Sequence, residues 1–177
     1  ITGAQDFTLS EALDFADKYT VVDSLSDSTS GAFAVIFAER LPNEGIGEKT
    51  LSIRGTNDVV DFMVSDPLIA IPTLTQLLTA GQYLAVKDFY DQAVARGDIG
   101  AEETITVTGH SLGGFLATCF TLLNPSAVDS AYAYNAPGFG GVLMEIMTTL
   151  GMMPDNLPFD KITNIYGAQF PALIAGY

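Results

Sequence analysis

One cysteine, one histidine and seven basic residues are all that this chain of 177 residues carries of three kinds of side chain, and each scarcity removes a class of explanation. With Cys119 alone no internal disulfide can form, and its place in an apolar stretch marks it as a small core residue. Seven Lys and Arg against 21 Asp and Glu leave a net charge of −14, which argues against nucleic-acid binding and against electrostatic attachment to an anionic membrane. Any lipid contact must then be apolar. No acidic cluster has the spacing of a calcium loop, so the acidic excess reads as a solvated surface, and no metal or organic cofactor is expected. There is no apolar run of transmembrane length and no basic-plus-apolar leader, although a processed chain would look the same. Internal repeats and low-complexity tracts are absent too.

What is present is a core-forming composition. At 48% hydrophobic and 16% charged, residues 1–177 are expected to form one domain with a substantial core. Thr8 and Glu11 stand in capping-box positions before Leu9, Ala12, Leu13, Ala16 and Tyr19, which recur at helical spacing and predict a helix ending near Tyr19. Asp23 to Gly31 reads as a surface loop, Ala32 to Ala38 as a short apolar strand, and Leu41 to Lys49 as a hairpin connection to a strand over Thr50 to Arg54. A short helix is predicted from Asn57 to Asp66 and a clear one from Gln82 to Arg96, stopped by Gly97. Strands over Val128 to Tyr134 and Lys161 to Tyr166 flank a Met-containing helix over Val142 to Leu150. Strands alternating with helices in this order predict an α/β fold: a sandwich with a mostly parallel sheet after an antiparallel opening hairpin. Because the chain stops soon after a central-type strand, the sheet is expected to be truncated on its C-terminal side, with something else covering that edge.

The most informative stretch is Thr104 to Leu116, a β-branched run that enters Gly-His-Ser-Leu-Gly-Gly and leaves into an apolar helix pattern. A strand ending in G-x-S-x-G must turn so sharply that Ser111 is held in a strained conformation, with Gly109 and Gly113 leaving no Cβ to clash. That is a nucleophile elbow, with the serine exposed above the sheet. His110, the only histidine, stands next to it. A general base must bring a ring nitrogen within about 2.6–3.2 Å of the hydroxyl, which an adjacent residue does poorly, so His110 reads as a scaffold residue and the chain lacks its base.

Three strand ends, Ile-Arg-Gly-Thr at 53–56, Gly-His-Ser-Leu-Gly-Gly at 109–114 and Tyr-Asn-Ala-Pro-Gly at 134–138, together resemble the class 3 (fungal-type) lipases of the α/β-hydrolase fold. The likeness runs from about Leu51 to Tyr166 and takes in Asp61, Phe62 and Asp66. It implies oxyanion stabilisation by Thr56, through its N–H and its hydroxyl, and by the N–H of Leu112. The alternative for Arg54-Gly55-Thr56 is a tight turn with Arg54 paired to a carboxylate. The family's catalytic acid would stand at the end of the strand over Lys161 to Tyr166, where this chain has Gly167-Ala168-Gln169-Phe170-Pro171 and no carboxylate. Asp160 lies at the wrong end of that strand and Asp155 in the loop before it, so the acid lies beyond Tyr177 or Gln169 takes a weaker orienting role. The apolar passage over residues 67–80 occupies the place of the family's lid, or is a core-facing helix. Met144, Met147, Met152 and Met153 line an acyl pocket on one reading and are core filler on the other.

The resemblance implies a serine hydrolase that cleaves carboxylic esters of lipids, or a small ester, through an acyl-enzyme on Ser111. Its histidine and acid would come from a C-terminal segment or a second chain. Transient contact with a lipid interface and an extracellular location go with that reading. The alternative is a non-catalytic lipid-binding or scaffold domain that keeps the elbow.

Overall fold

Six strands hydrogen-bond side by side in chain order, and the direction of pairing changes once along the sheet. The computed structural model describes residues 8–55, 72–136 and 157–167, with the backbone alone for Glu44 and residues 72–78. Strands β1 (Tyr19–Ser26), β2 (Phe33–Arg40) and β3 (Ile46–Ile53) are antiparallel neighbours. From β3 onward, β4 (Ile105–His110), β5 (Val128–Tyr134) and β6 (Ile162–Ile165) pair in parallel. This is the expected α/β sandwich with its antiparallel opening hairpin. The expected short helix over 57–66, the Met-containing helix over 142–150 with Met144, Met147, Met152 and Met153, and residues 67–71 lie outside the described residues.

Parallel connections are right-handed, so successive steps in one direction along the sheet place their helices on one face. Helices α2 (Pro72–Arg96) and α3 (Leu112–Leu123) share that face, where alternate strand positions bury Ala34, Ile36, Leu51, Ile53, Ile105, Val107 and Ala131. α3 is buried at every position from Leu112 to Leu122. It packs against both the sheet and α2, from which Tyr83, Val86, Phe89 and Ala93 join the same core. Burying a side chain such as Phe120 or Leu116 stabilises the fold by about 1.5–3 kcal/mol, so the helix following the elbow is firmly seated. Two polar residues inside it, Thr118 and Thr121, satisfy their hydroxyls on the carbonyls of Gly114 and Ala117, one turn back, at 3.0 and 2.8 Å. Cys119 is buried there, as its setting predicted.

Among the described residues the opposite face is polar. Thr50, Ser52, Thr106, Thr108, Tyr132 and Tyr134 line a groove of about 370 Å³ together with Phe15 of α1 (Leu9–Lys18), Tyr19 and Phe37. The capping box of Thr8 and Glu11 forms. Yet α1 buries none of its residues, and its hold on the sheet runs through Phe15, edge-on to Phe37 with centroids 5.2 Å apart.

Three elements differ from expectation. The hairpin connection read over Leu41 to Lys49 ends at Gly45, because β3 starts at Ile46 and pairs with β2 from Arg40 onward. The loop read from Asp23 to Gly31 is a strand as far as Ser26. β1 is an edge strand whose outward positions accept Asp and Ser, and turn chemistry begins only at Asp27, which accepts from the amides of Thr29 and Ser30. The helix read from Gln82 begins at Pro72 instead, so residues 72–80 of the expected lid passage belong to its first turns. Proline at a helix start loses no hydrogen bond, and tertiary packing, with Thr79 and Gln82 buried, overrides the weak propensity of Thr and Gly in this stretch.

Candidate active site

The hydrogen-bond ladder between β4 and β5 continues one residue past His110, into Ser111. There the chain reverses into α3. Ser111 has φ 56° and ψ −125°, a region that costs a non-glycine residue about 1–3 kcal/mol. A serine at the N-cap usually accepts a bond from the first helical amides. Here that bond is missing, and among the described residues the half-buried Ser111 hydroxyl has no hydrogen-bond partner. The backbone conformation thus leaves the hydroxyl out of capping the helix it precedes.

Glycines let the surrounding backbones close on this turn. A Cβ on Gly109 would overlap the Gly113 carbonyl, and one on Gly113 would strike the Ile53 carbonyl oxygen. At Gly55 a Cβ would stand 2.8 Å from the His110 carbonyl oxygen and 3.3 Å from the Leu112 nitrogen. The exit of β3 is therefore packed against the first amides of α3. Leu112 and Gly113 are the opening residues of a twelve-residue helix, where backbone N–H groups lack intrahelical acceptors and the dipole favours negative charge. Thr56, the next residue after Gly55, lies outside the described residues.

Arg54 does not take the carboxylate partner that the tight-turn alternative required among the described residues. Its guanidinium lies 4.6 Å from the centroid of the Phe33 ring, a cation–π contact, and its amide donates to the Phe33 carbonyl.

His110 is exposed and engaged sideways rather than toward the serine. The Asn135 amide nitrogen lies 3.3 Å from its Nε2, and the Asn135 carbonyl oxygen accepts from the Gly167 amide at 2.7 Å. Among the described residues the ring pairs with Asn135 and not with Ser111. Asn135 was legible only as the end of a strand; its one sequence signal is that Asn tolerates the left-handed conformation it adopts, φ 45°.

Asp160 sits in the single-turn helix before β6. Since β6 runs parallel to β4, that is the end of the sheet opposite Ser111. Asp155 and Gln169 lie outside the described residues, as does the segment from 168 onward. The Cys119 thiol, buried within α3, is pushed up strongly by burial and is no rival nucleophile.

No family model and no curated protein matches the chain. Solved structures similar to it include the extracellular lipase LipA from Serratia marcescens, at 16% identity over 84% of this chain and 27% of that one, TM-score 0.45. A lipase from Rhizopus microsporus var. chinensis matches at 19% identity over 75% of this chain and 50% of that one, TM-score 0.41. A triacylglycerol lipase from Penicillium expansum matches at 14% identity over 92% and 69%, TM-score 0.45. The chain thus spans half or less of the length of the first two.

Proposed function

We propose that this chain carries the nucleophile and oxyanion half of a serine carboxylic-ester hydrolase of lipase or esterase type. The observation that carries the reading is the backbone of Ser111, φ 56° and ψ −125°, at the junction of a parallel strand and a buried helix. Ser111 attacks the acyl carbonyl, its proton passing to the general base, and the ester C–O bond then breaks as that base protonates the departing alcohol. The N–H of Leu112 and that of Thr56 receive the oxyanion, each such donor supplying about 2.7–4 kcal/mol. Water then releases the acyl group from the serine. The substrate is a lipid ester or a small ester met at an apolar interface, with residues 67–80 as the segment that covers the site, and the setting is extracellular.

Because the only imidazole of the sequence is held by Asn135, the base and its acid partner come from a C-terminal segment or a second chain. That same engagement favours one competing reading, a lipid-binding or scaffold domain without turnover. Labelling with a fluorophosphonate separates them. Modification of Ser111 in the complete natural polypeptide, lost in Ser111→Ala and slower by a factor of about 10⁶ in these 177 residues alone, supports the hydrolase. Absence of labelling in both supports the scaffold.

A further inference from the structure

The ends of β4, β5 and β6 are joined beside the elbow by one side chain. Asn135 follows β5 with its amide nitrogen donating to the Ile165 carbonyl at 2.8 Å and its φ at 45°, so its side chain leaves the backbone in a fixed direction. The Gly167 amide can only donate, and it lies 2.7 Å from the Asn135 Oδ1. The Nδ2 group is thereby turned to His110, 3.3 Å from Nε2. An amide NH2 has no lone pair to offer, so Nε2 is the unprotonated ring nitrogen and the proton sits on Nδ1. In water a neutral histidine prefers the opposite tautomer.

We propose that Asn135 is a positioning residue: its amide fixes His110 in the Nδ1–H tautomer and ties the end of β4, which carries Ser111, to the end of β6 at Gly167. The consequence for Ser111 reactivity rests on the hydrolase reading; the tautomer does not. Ser111 itself is bonded to the residue preceding Asn135, through its amide to the Tyr134 carbonyl at 2.9 Å. The elbow and the strut therefore share two adjacent residues of β5 and its exit. Displacements of about 1 Å at a reacting group can cost about a hundredfold in rate, so a strut at this point is worth a measurable factor.

A single histidine makes the test direct, since ring-nitrogen chemical shifts of the 177-residue chain at mildly alkaline pH report one imidazole. The expected wild-type tautomer is Nδ1–H. Asn135→Gly keeps the positive φ without strain and removes the amide, so the ring returns to the Nε2–H form favoured by water. Asn135→Asp offers carboxylate oxygens to both the Gly167 amide and the ring, and is expected to hold Nε2–H while preserving the link. In the complete natural polypeptide, fluorophosphonate labelling of Ser111 slows about tenfold or more in Asn135→Gly and recovers in Asn135→Asp. A merely structural role would not exchange the tautomer while restoring the rate. An Nε2–H wild type, or unchanged labelling in Asn135→Gly, overturns the proposal. Wild type that never labels but shows the expected tautomers would sink the hydrolase reading alone and leave the link between Asn135 and His110 supported.

Discussion

The amide of Ser111 donates to the carbonyl of Tyr134 at 2.9 Å, which extends the β4–β5 ladder into a residue whose own φ is positive. The strained turn is thus held by a regular sheet bond on one side and by the first turn of α3 on the other, where the Phe115 amide donates to the Ser111 carbonyl at 3.1 Å. Neither bond uses the serine side chain.

Strain of that kind is readable as stability. Ser111→Gly relieves it at the cost of a more flexible unfolded chain, whereas Ser111→Ala keeps it; both remove the hydroxyl. Strain of about 1–3 kcal/mol against an unfolded-state cost of about 0.5–1 kcal/mol leaves the glycine variant more stable than the alanine variant by about 1 kcal/mol. Urea unfolding of the two, compared at equal slopes, measures the difference. A glycine variant no more stable than the alanine one would mean that the turn stores no strain.

Gly113→Ala has the opposite sign. Its Cβ would meet backbone atoms alone, the Ile53 carbonyl oxygen, the Gly55 nitrogen at 2.7 Å and the Arg54 carbonyl carbon at 2.9 Å, and none of these can swing aside as a side chain would. The expected loss is about 3 kcal/mol, at the upper end for overpacking, read as a lower urea midpoint. Gly81→Ala is the control: its nearest neighbour would be the Ser30 Cβ at 3.9 Å, and it sits inside α2, so it should gain about 0.5–1 kcal/mol.

The elbow was legible because its constraint is local: strand, glycine, serine, glycine and helix are consecutive, and the geometry follows from five residues. Strands β2 to β6 were legible for a similar reason, each apolar run being bounded by turn residues. β1 was not, because an edge strand needs only one partner and Asp23 and Ser24 look like loop on their own. The start of α2 was hidden by Thr73, Thr75, Thr79 and Gly81, whose intrinsic preferences run against the helix that packing imposes. Contacts among Gly55, His110, Leu112 and Asn135 depend on strands far apart in sequence lying side by side. No short-range pattern encodes them, so the role of Asn135 surfaced only in three dimensions.

A pH effect is expected away from the site. Lys49 on β3 reaches Glu103, in the loop before β4, with its Nζ 2.6 and 2.8 Å from the two carboxylate oxygens, and the Gly100 amide donates to the same carboxylate at 2.8 Å. Partial burial works to raise the Glu103 carboxyl, but the Lys49 and Gly100 hydrogen bonds outweigh it and hold the carboxyl below the usual range. A group lowered on folding contributes stability that is fully present above its unfolded value, about 4.3, and is lost as pH falls through the lower folded one. Glu103→Gln should therefore cost about 1 kcal/mol at neutral pH, with the gap to wild type closing in acid. A gap independent of pH would show that the ion pair contributes nothing.

Cys119 reports on the helix that presents Leu112. Its thiol is buried, 2% exposed, and burial pushes its ionisation far upward, so neither access nor thiolate is available in the folded state. A disulfide reagent such as Ellman's should react only through global opening of the fold, slower than with unfolded chain by a factor of about 10³ or more for a domain of ordinary stability. Gly113→Ala should accelerate that reaction in proportion to its lost stability, while Asn135→Gly, which leaves the core of α3 untouched, should accelerate it far less. Immediate reaction of the native protein would mean that α3 is not seated against the sheet and α2, and with it would go the fixed direction of the Leu112 and Gly113 amides.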